Sequence, residues 1–134
     1  VRVLPDIITD AGPLAGLERA LAQAGRPLVL ALAVDLPAMN PEFLRRLTGA
    51  ATEGCGVVPL RGGLAEPLVA IYPRAGLAEI QRRLQRRELA LQSLVRAGLA
   101  DGWLRGLPVP VEDEPLLTNW NRPEDVAAGV FSVQ

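Results

Sequence analysis

Histidine and lysine are both absent from these 134 residues, and cysteine occurs once. The missing histidine excludes Ser-His and Cys-His nucleophilic catalysis, imidazole general-base chemistry and the common zinc sites in one step. The single Cys55, in "EGCGVV", can build neither a disulfide framework nor a zinc cluster, and reads as a small buried hydrophobe. No apolar run approaches the roughly 18 residues of a membrane span, and no charged region followed by a short apolar stretch marks a secretory signal. The net charge of −1 gives no basic footprint for nucleic acid. The expectation is therefore a cytoplasmic protein with neither a membrane nor a nucleic acid as partner. What remains for chemistry is carboxylates, arginines, amides, backbone N–H groups and hard metal ions.

Against these absences, 49% of the residues are hydrophobic, enough for one core, and the length predicts a single domain over 1–134. Strands alternate with helices along the chain. "VRVL" (Val1 to Leu4) reads as a short strand, and "GPLAGLERALAQAG" as a helix with Gly12 near its cap, Pro13 in its first turn and Gly25 past its end. Leu14, Leu17 and Leu21 form one buried stripe. Leu28 to Val34 is a continuous apolar strand, the pattern of a parallel strand covered on both faces. Asn40 and Pro41 open a helix with Phe43, Leu44, Leu47 and Ala51 inward.

"GVVPL" and "LAEPLVAIY" flank Arg61-Gly62-Gly63, a hairpin because paired glycines tolerate positive φ. Leu77 to Arg87 and Leu89 to Ala97 read as helices, "WLRGLPVPV" as a proline-interrupted strand and "RPEDVAAGV" as a closing helix. Arg82, Arg83, Arg86 and Arg87 share a sector opposite Leu77, Ile80 and Leu84, which predicts a solvated helix face. The alternation argues for an α/β sheet with crossovers.

Asp35 stands at the tip of the most apolar strand, and ligands of open α/β sheets bind outside the carboxyl ends of strands. A carboxylate beside a dry strand calls for a cation or hydrogen bonds. A turn residue bonding the backbone of "DLP" is the alternative. We rank metal first because no basic residue is near in sequence, and Mg²⁺ uses one or two carboxylates plus substrate phosphates and water. Asp6, past the first strand, reads on its own as a turn. Gly12 opens a helix whose N–H groups suit an anion, and a simple helix cap explains it equally well. Asn121 with Glu124 fits a capping box, whereas Asn119 has no capping role and faces a ligand more plausibly.

The order "GPLAG", "VDLP", "EPLVAIY", "NWNRPEDV" resembles the molybdenum cofactor guanylyltransferases of the molybdopterin-like nucleotidyltransferase superfamily, over nearly the whole chain. The resemblance implies a Rossmann-like three-layer α/β/α nucleotidyltransferase fold with a mostly parallel sheet and one hairpin. It implies transfer of GMP from Mg²⁺-bound GTP to molybdopterin with release of pyrophosphate. Asp35 matches the family's Mg²⁺-binding and nucleotide-contacting aspartate, catalytic in that sense. Asp6 matches an acid that helps hold GTP, with Gly12 on the nucleotide side. Asn119 and Asn121 match the paired asparagines on the pterin side. Transient contact with molybdoenzyme maturation proteins is a further implication.

Two departures stand out. Glu66 precedes Pro67 where relatives carry an uncharged polar residue, so it receives no role. The family's first strand, its Gly-rich phosphate loop with an arginine and a lysine, and its second strand have no counterpart here. The expectation is a chain lacking its N-terminal βαβ unit, inactive alone, whose strand Leu28 to Val34 has open backbone edges. Cytidylyl or other nucleotidyl transfer to a phosphate-bearing substrate is the alternative within the class. A non-catalytic nucleotide- or partner-binding module is the alternative outside it.

Overall fold

The structure, a computed structural model, describes residues 2–4, 12–23, 25–33, 39–117 and 128–133. Helix α1 (Gly12–Gln23) forms on the leucine stripe that the sequence shows, with Leu14, Leu17 and Leu21 all buried. Strand β2 (Leu28–Ala33) follows a turn through Gly25, whose φ of 63° is the left-handed region that glycine occupies at least cost. Helix α2 (Pro41–Ala50) starts as its residues dictate: the Asn40 side chain accepts from the Phe43 N–H at 2.8 Å, and Pro41 takes the first turn. Phe43 and Leu47 are buried, with Leu44 and Ala51 half-buried beside them.

Successive residues of β2 enter two different cores. Val29 and Ala31 pack with α1, α3 (Leu77–Gln85) and α4 (Leu91–Asp101), while Leu28 and Leu30 pack with α2. Strands β3 (Gly56–Arg61) and β5 (Val69–Pro73) divide in the same way, Val58, Ala70 and Tyr72 to one side and Val57, Val69 and Ile71 to the other. The sheet is thus sandwiched between helices, and its strands are apolar on both faces because both faces are dry. At ~1.5–3 kcal/mol for each large apolar side chain removed from water, these two cores dominate the favourable side of folding.

The sheet also contains β1 (Arg2–Leu4), β4 (Leu64–Ala65), β6 (Leu104–Pro108) and β7 (Ala128–Val133), along the path β1-β7-β2-β5-β3-β4 with β6 on β3. Leu60 pairs with both Ala65 and Pro108, and Val57 with both Ile71 and Arg105, so β4 and β5 share one side of β3 and β6 takes the other. The β3–β4 hairpin turns at Gly62 and Gly63 with φ of 57° and 84°, as the paired glycines predict.

Four expectations need correction. The sheet is mixed rather than mostly parallel: among the described pairs only β3–β6 is parallel. An apolar run reports burial on both faces, not strand direction. β1, β2, β3 and β6 do run the same way, as the α1 and α2 crossovers require, but β7 and β5 are interleaved among them in the opposite sense. Residues 128–133, the end of the expected closing helix and beyond, form a strand, suited to the β-branched and aromatic content of "AGVFSV". That strand pairs with β2 from Leu28 to Ala33, so β2 has partners on both edges rather than open ones. Finally, Cys55 is only partly buried, in a bridge with Thr52.

Helix limits shift by a few residues. α3 stops at Gln85, after which Arg87 adopts φ of 59°, and α4 runs to Asp101, with Gly102 as its left-handed C-cap. The arginine sector of α3 is not uniformly solvated. Arg83 bridges Glu79 at 2.8 Å and the Ser93 hydroxyl at 2.7 Å, so it ties α3 to α4, whereas Arg82 bonds Glu79 on the surface. The strand expected over "WLRGLPVPV" ends at Pro108, and Val111–Leu117 forms a 3-10 helix held to α2 by Arg46 and Asp113 at 2.7 Å.

Candidate functional site

One edge of the sheet collects every candidate segment. β1, β2, β3 and β6 all end there, and β5 and β7 begin there, because the two groups run in opposite directions. From the end of β1 the chain enters residues 5–11 and returns in α1; from the end of β2 it enters residues 34–38 and returns at the Asn40 cap. From the end of β6 it passes through Val111–Leu117 and residues 118–127 into β7. Asp6, Asp35, Asn119 and Asn121 lie in these three connections, outside the described residues. Their described flanks leave and re-enter one edge, the carboxyl edge where open α/β sheets bind ligands.

Gly12 is described, and it opens α1 at that edge with φ of 72°. A Cβ there would meet nothing within 4 Å, so conformation rather than crowding is what favours glycine. The N-terminal turns of α1 and α2 both rise from this edge, each with N–H groups that an anion can use.

The same edge carries a charged pair to which the sequence reading assigned no role. Arg61, at the end of β3, meets Glu66 at 2.8 Å across the hairpin. Burial raises the Glu66 carboxyl above the usual carboxylate range, and the Arg61 guanidinium offsets part of that rise. Three residues separate β4 from β5, held by the Glu66 N–H on the Pro59 carbonyl at 3.0 Å and the Val69 N–H on the Glu66 carbonyl at 3.1 Å. Beneath them the Tyr72 hydroxyl, fully buried, donates to the Pro67 carbonyl at 2.6 Å. The "EPLVAIY" segment is therefore a rigid shelf at the sheet edge. The only sequence signal for the pair was an arginine just before Gly-Gly with an acid five positions on, a spacing that a tight hairpin brings together.

Among the described residues no group of three or more His, Cys, Asp or Glu could hold a metal ion. Asp6 and Asp35, the acids that the family resemblance matches, lie outside the described residues, and one or two carboxylates is the donor set Mg²⁺ uses. No helix among the described residues is long and apolar enough to cross a membrane.

A sheet layered between helices, with its loops gathered at one carboxyl edge, defines the class: a Rossmann-like nucleotidyltransferase fold. A crystallised protein of Aquifex aeolicus VF5 shares it, with a TM-score of 0.68 at 25% identity over 82% of this chain and 56% of that one. The family profile of the MobA-like NTP transferase domain matches residues 1–102, and the chain belongs to that family. It is 41% identical, over 90% of its length, to a probable molybdenum cofactor guanylyltransferase of Opitutus terrae. It is 33% identical, again over 90%, to the molybdenum cofactor guanylyltransferase of Ectopseudomonas mendocina. The chain spans 61% and 57% of the lengths of these two relatives.

Proposed function

We propose that the protein transfers GMP from Mg²⁺-bound GTP to molybdopterin and releases pyrophosphate. The observation that carries this reading is the 41% identity to a probable molybdenum cofactor guanylyltransferase across 90% of the chain. The described flanks of the three segments that carry the candidate residues leave and re-enter one sheet edge, which supports it. In the reaction, the terminal phosphate of molybdopterin attacks the α-phosphorus of GTP and pyrophosphate leaves roughly in line. Such transfer needs positioning and charge stabilisation rather than covalent help, which suits a chain without histidine.

Asp35 would hold Mg²⁺, whose charge balances the phosphates. Asp6 and the N-terminus of α1 at Gly12 would hold the nucleotide, and Asn119 and Asn121 would hold the pterin. The protein would act as a cytoplasmic enzyme of molybdenum cofactor biosynthesis.

The test uses a form of the protein that turns over GTP. Asp35→Asn should abolish Mg²⁺-dependent guanylylation of molybdopterin with an unchanged thermal midpoint, and near-normal turnover at saturating Mg²⁺ would remove Asp35 from the role. Faster turnover of CTP than GTP would change the base. Nucleotide binding without transfer in every form would leave a binding module.

A further inference from the structure

A cleft of about 440 Å³ separates the β3–β4 hairpin from α4. Gln92, Val95, Arg96 and Leu99 line one wall, a set spaced i, i+3, i+4 and i+7 and so one face of the helix. Leu60, Gly63, Leu64 and Ala65 line the other. The walls are fixed to each other, because Gln92 Nε2 donates to the Ala65 carbonyl at 2.9 Å. The floor is dry, with Val95 at 1% exposure. On the rim Leu64 is 69% exposed, and among the described residues only Val111 is a comparably exposed large hydrophobic. Arg96 also stands on the rim, exposed, and among the described residues no acid lies within ion-pair distance of it. The nearby hairpin acid, Glu66, is already taken by Arg61.

We propose that this cleft docks a short acidic and apolar segment of a partner protein, its apolar side chain seated between Leu64 and Leu99 and its carboxylate on Arg96. An exposed leucine beside an arginine that no acid pairs among the described residues is the complement of such a segment, and aliphatic anchors flanked by a charge contact are how grooves read peptides. Two other occupants fit less well. A second copy related by a twofold axis through the cleft would bring Arg96 towards its own equivalent, a like-charge contact. A small ligand needs most of its surface covered, and a cleft whose rim residues are this exposed cannot cover it. The proposal is independent of which nucleotide the protein uses.

The experiment titrates the purified chain into a fluorescein-labelled eight-residue peptide of alternating Glu and Leu, read by anisotropy, with amide chemical shifts mapping the contact. The charge-reversed peptide of alternating Lys and Leu is the control. Binding of the Glu-Leu peptide with shifts at 92–99 and 60–65 is expected, weakening as salt rises. Arg96→Glu should weaken it at least tenfold and create binding to the Lys-Leu peptide; Leu64→Ser should weaken it severalfold. Both side chains are exposed, so the fold is not at stake, and far-UV circular dichroism checks this. The proposal fails if the Glu-Leu peptide does not bind, if it binds with shifts elsewhere, or if Arg96→Glu leaves its affinity unchanged. It fails equally if the cleft proves to be a dimer contact, seen as self-association that Leu64→Ser abolishes.

Discussion

Leu4 and Ala31 face the same residue from opposite sides: each pairs with Val130, the first from β1 and the second from β2. Two strand spacings put them about 10 Å apart, level with each other and pointing the same way along the sheet. The loops that follow, with Asp6 and Asp35, therefore start from neighbouring positions on one edge. A single strand, β7, sets that spacing.

Removing residues 128–134 tests how far β7 holds this edge. The deletion strips β2 of one of its two partners and β1 of the only partner it has among the described residues. An uncovered, apolar strand edge invites pairing with another chain. Size-exclusion chromatography with light scattering should show oligomers or loss of soluble protein. A stable monomer with an unchanged urea midpoint would mean that β7 contributes nothing to the sheet.

Gly56 should tolerate no side chain. An added Cβ would sit 1.9 Å from the Ile71 carbonyl oxygen and 2.9 Å from Pro73 Cδ, a collision with backbone that no rotamer relieves. Gly56→Ala should cost about 3 kcal/mol, the upper range for forced overpacking. Gly62→Ala, where a Cβ would meet nothing within 4 Å but φ is 57°, should cost about 1 kcal/mol. Urea denaturation of both variants gives the comparison, and equal costs would refute the close approach of β3 to β5.

Arg83 and Arg82 should separate although they are adjacent and share Glu79 as partner. The Arg83 side chain is 13% exposed and also reaches Ser93 on α4, whereas that of Arg82 is 54% exposed. Arg83→Ala should destabilise by about 1–3 kcal/mol, since it strands a hydrogen-bonded charge partner and removes packing. Arg82→Ala should stay within about 0.5 kcal/mol. Matching thermal midpoints for the two variants would show that the Ser93 contact is immaterial.

These contrasts mark what the sequence made legible. The stripe of α1, the Asn40 cap and the Gly62-Gly63 turn are local, set by residues within a turn or two of one another, and each appears where the residues require it. Strand direction is a property of neighbours far apart in the chain: nothing in "LVLALA" distinguishes a parallel partner from β5 or β7, since the run encodes only that both faces are dry. The strand at Ala128–Val133 was hidden by the helix-starting signals of "RPEDV" just before it. For the candidate site, Asp35 stood out as an acid after an apolar strand, but Asp6 and Asn121 rested on resemblance alone. The Arg61–Glu66 pair and the Arg83–Ser93 link needed the third dimension.

Tyr72 gives the sharpest pH dependence. It is the only tyrosine, lysine and histidine are absent, and arginine stays charged across the accessible range. Above about pH 10, therefore, this phenol is the principal side chain left to titrate. Burial pushes its pKa well above the ordinary value, because the ionised form would sit in the dry core and its hydroxyl would lose the proton it donates to the Pro67 carbonyl. The folded state thus holds this proton more tightly than the unfolded state. The sign follows from linkage: the stabilisation is fully present below the unfolded pKa near 10 and is lost as pH rises from there towards the folded value. The urea midpoint should be flat from about pH 8.5 to 9.5 and fall beyond about pH 10, and tyrosinate absorbance should appear only with unfolding. Tyr72→Phe should cost about 1–3 kcal/mol at neutral pH by orphaning the Pro67 carbonyl, and should flatten the alkaline limb. A variant that keeps the wild-type slope above pH 10 would assign the alkaline loss to another group and overturn the burial argument for Tyr72.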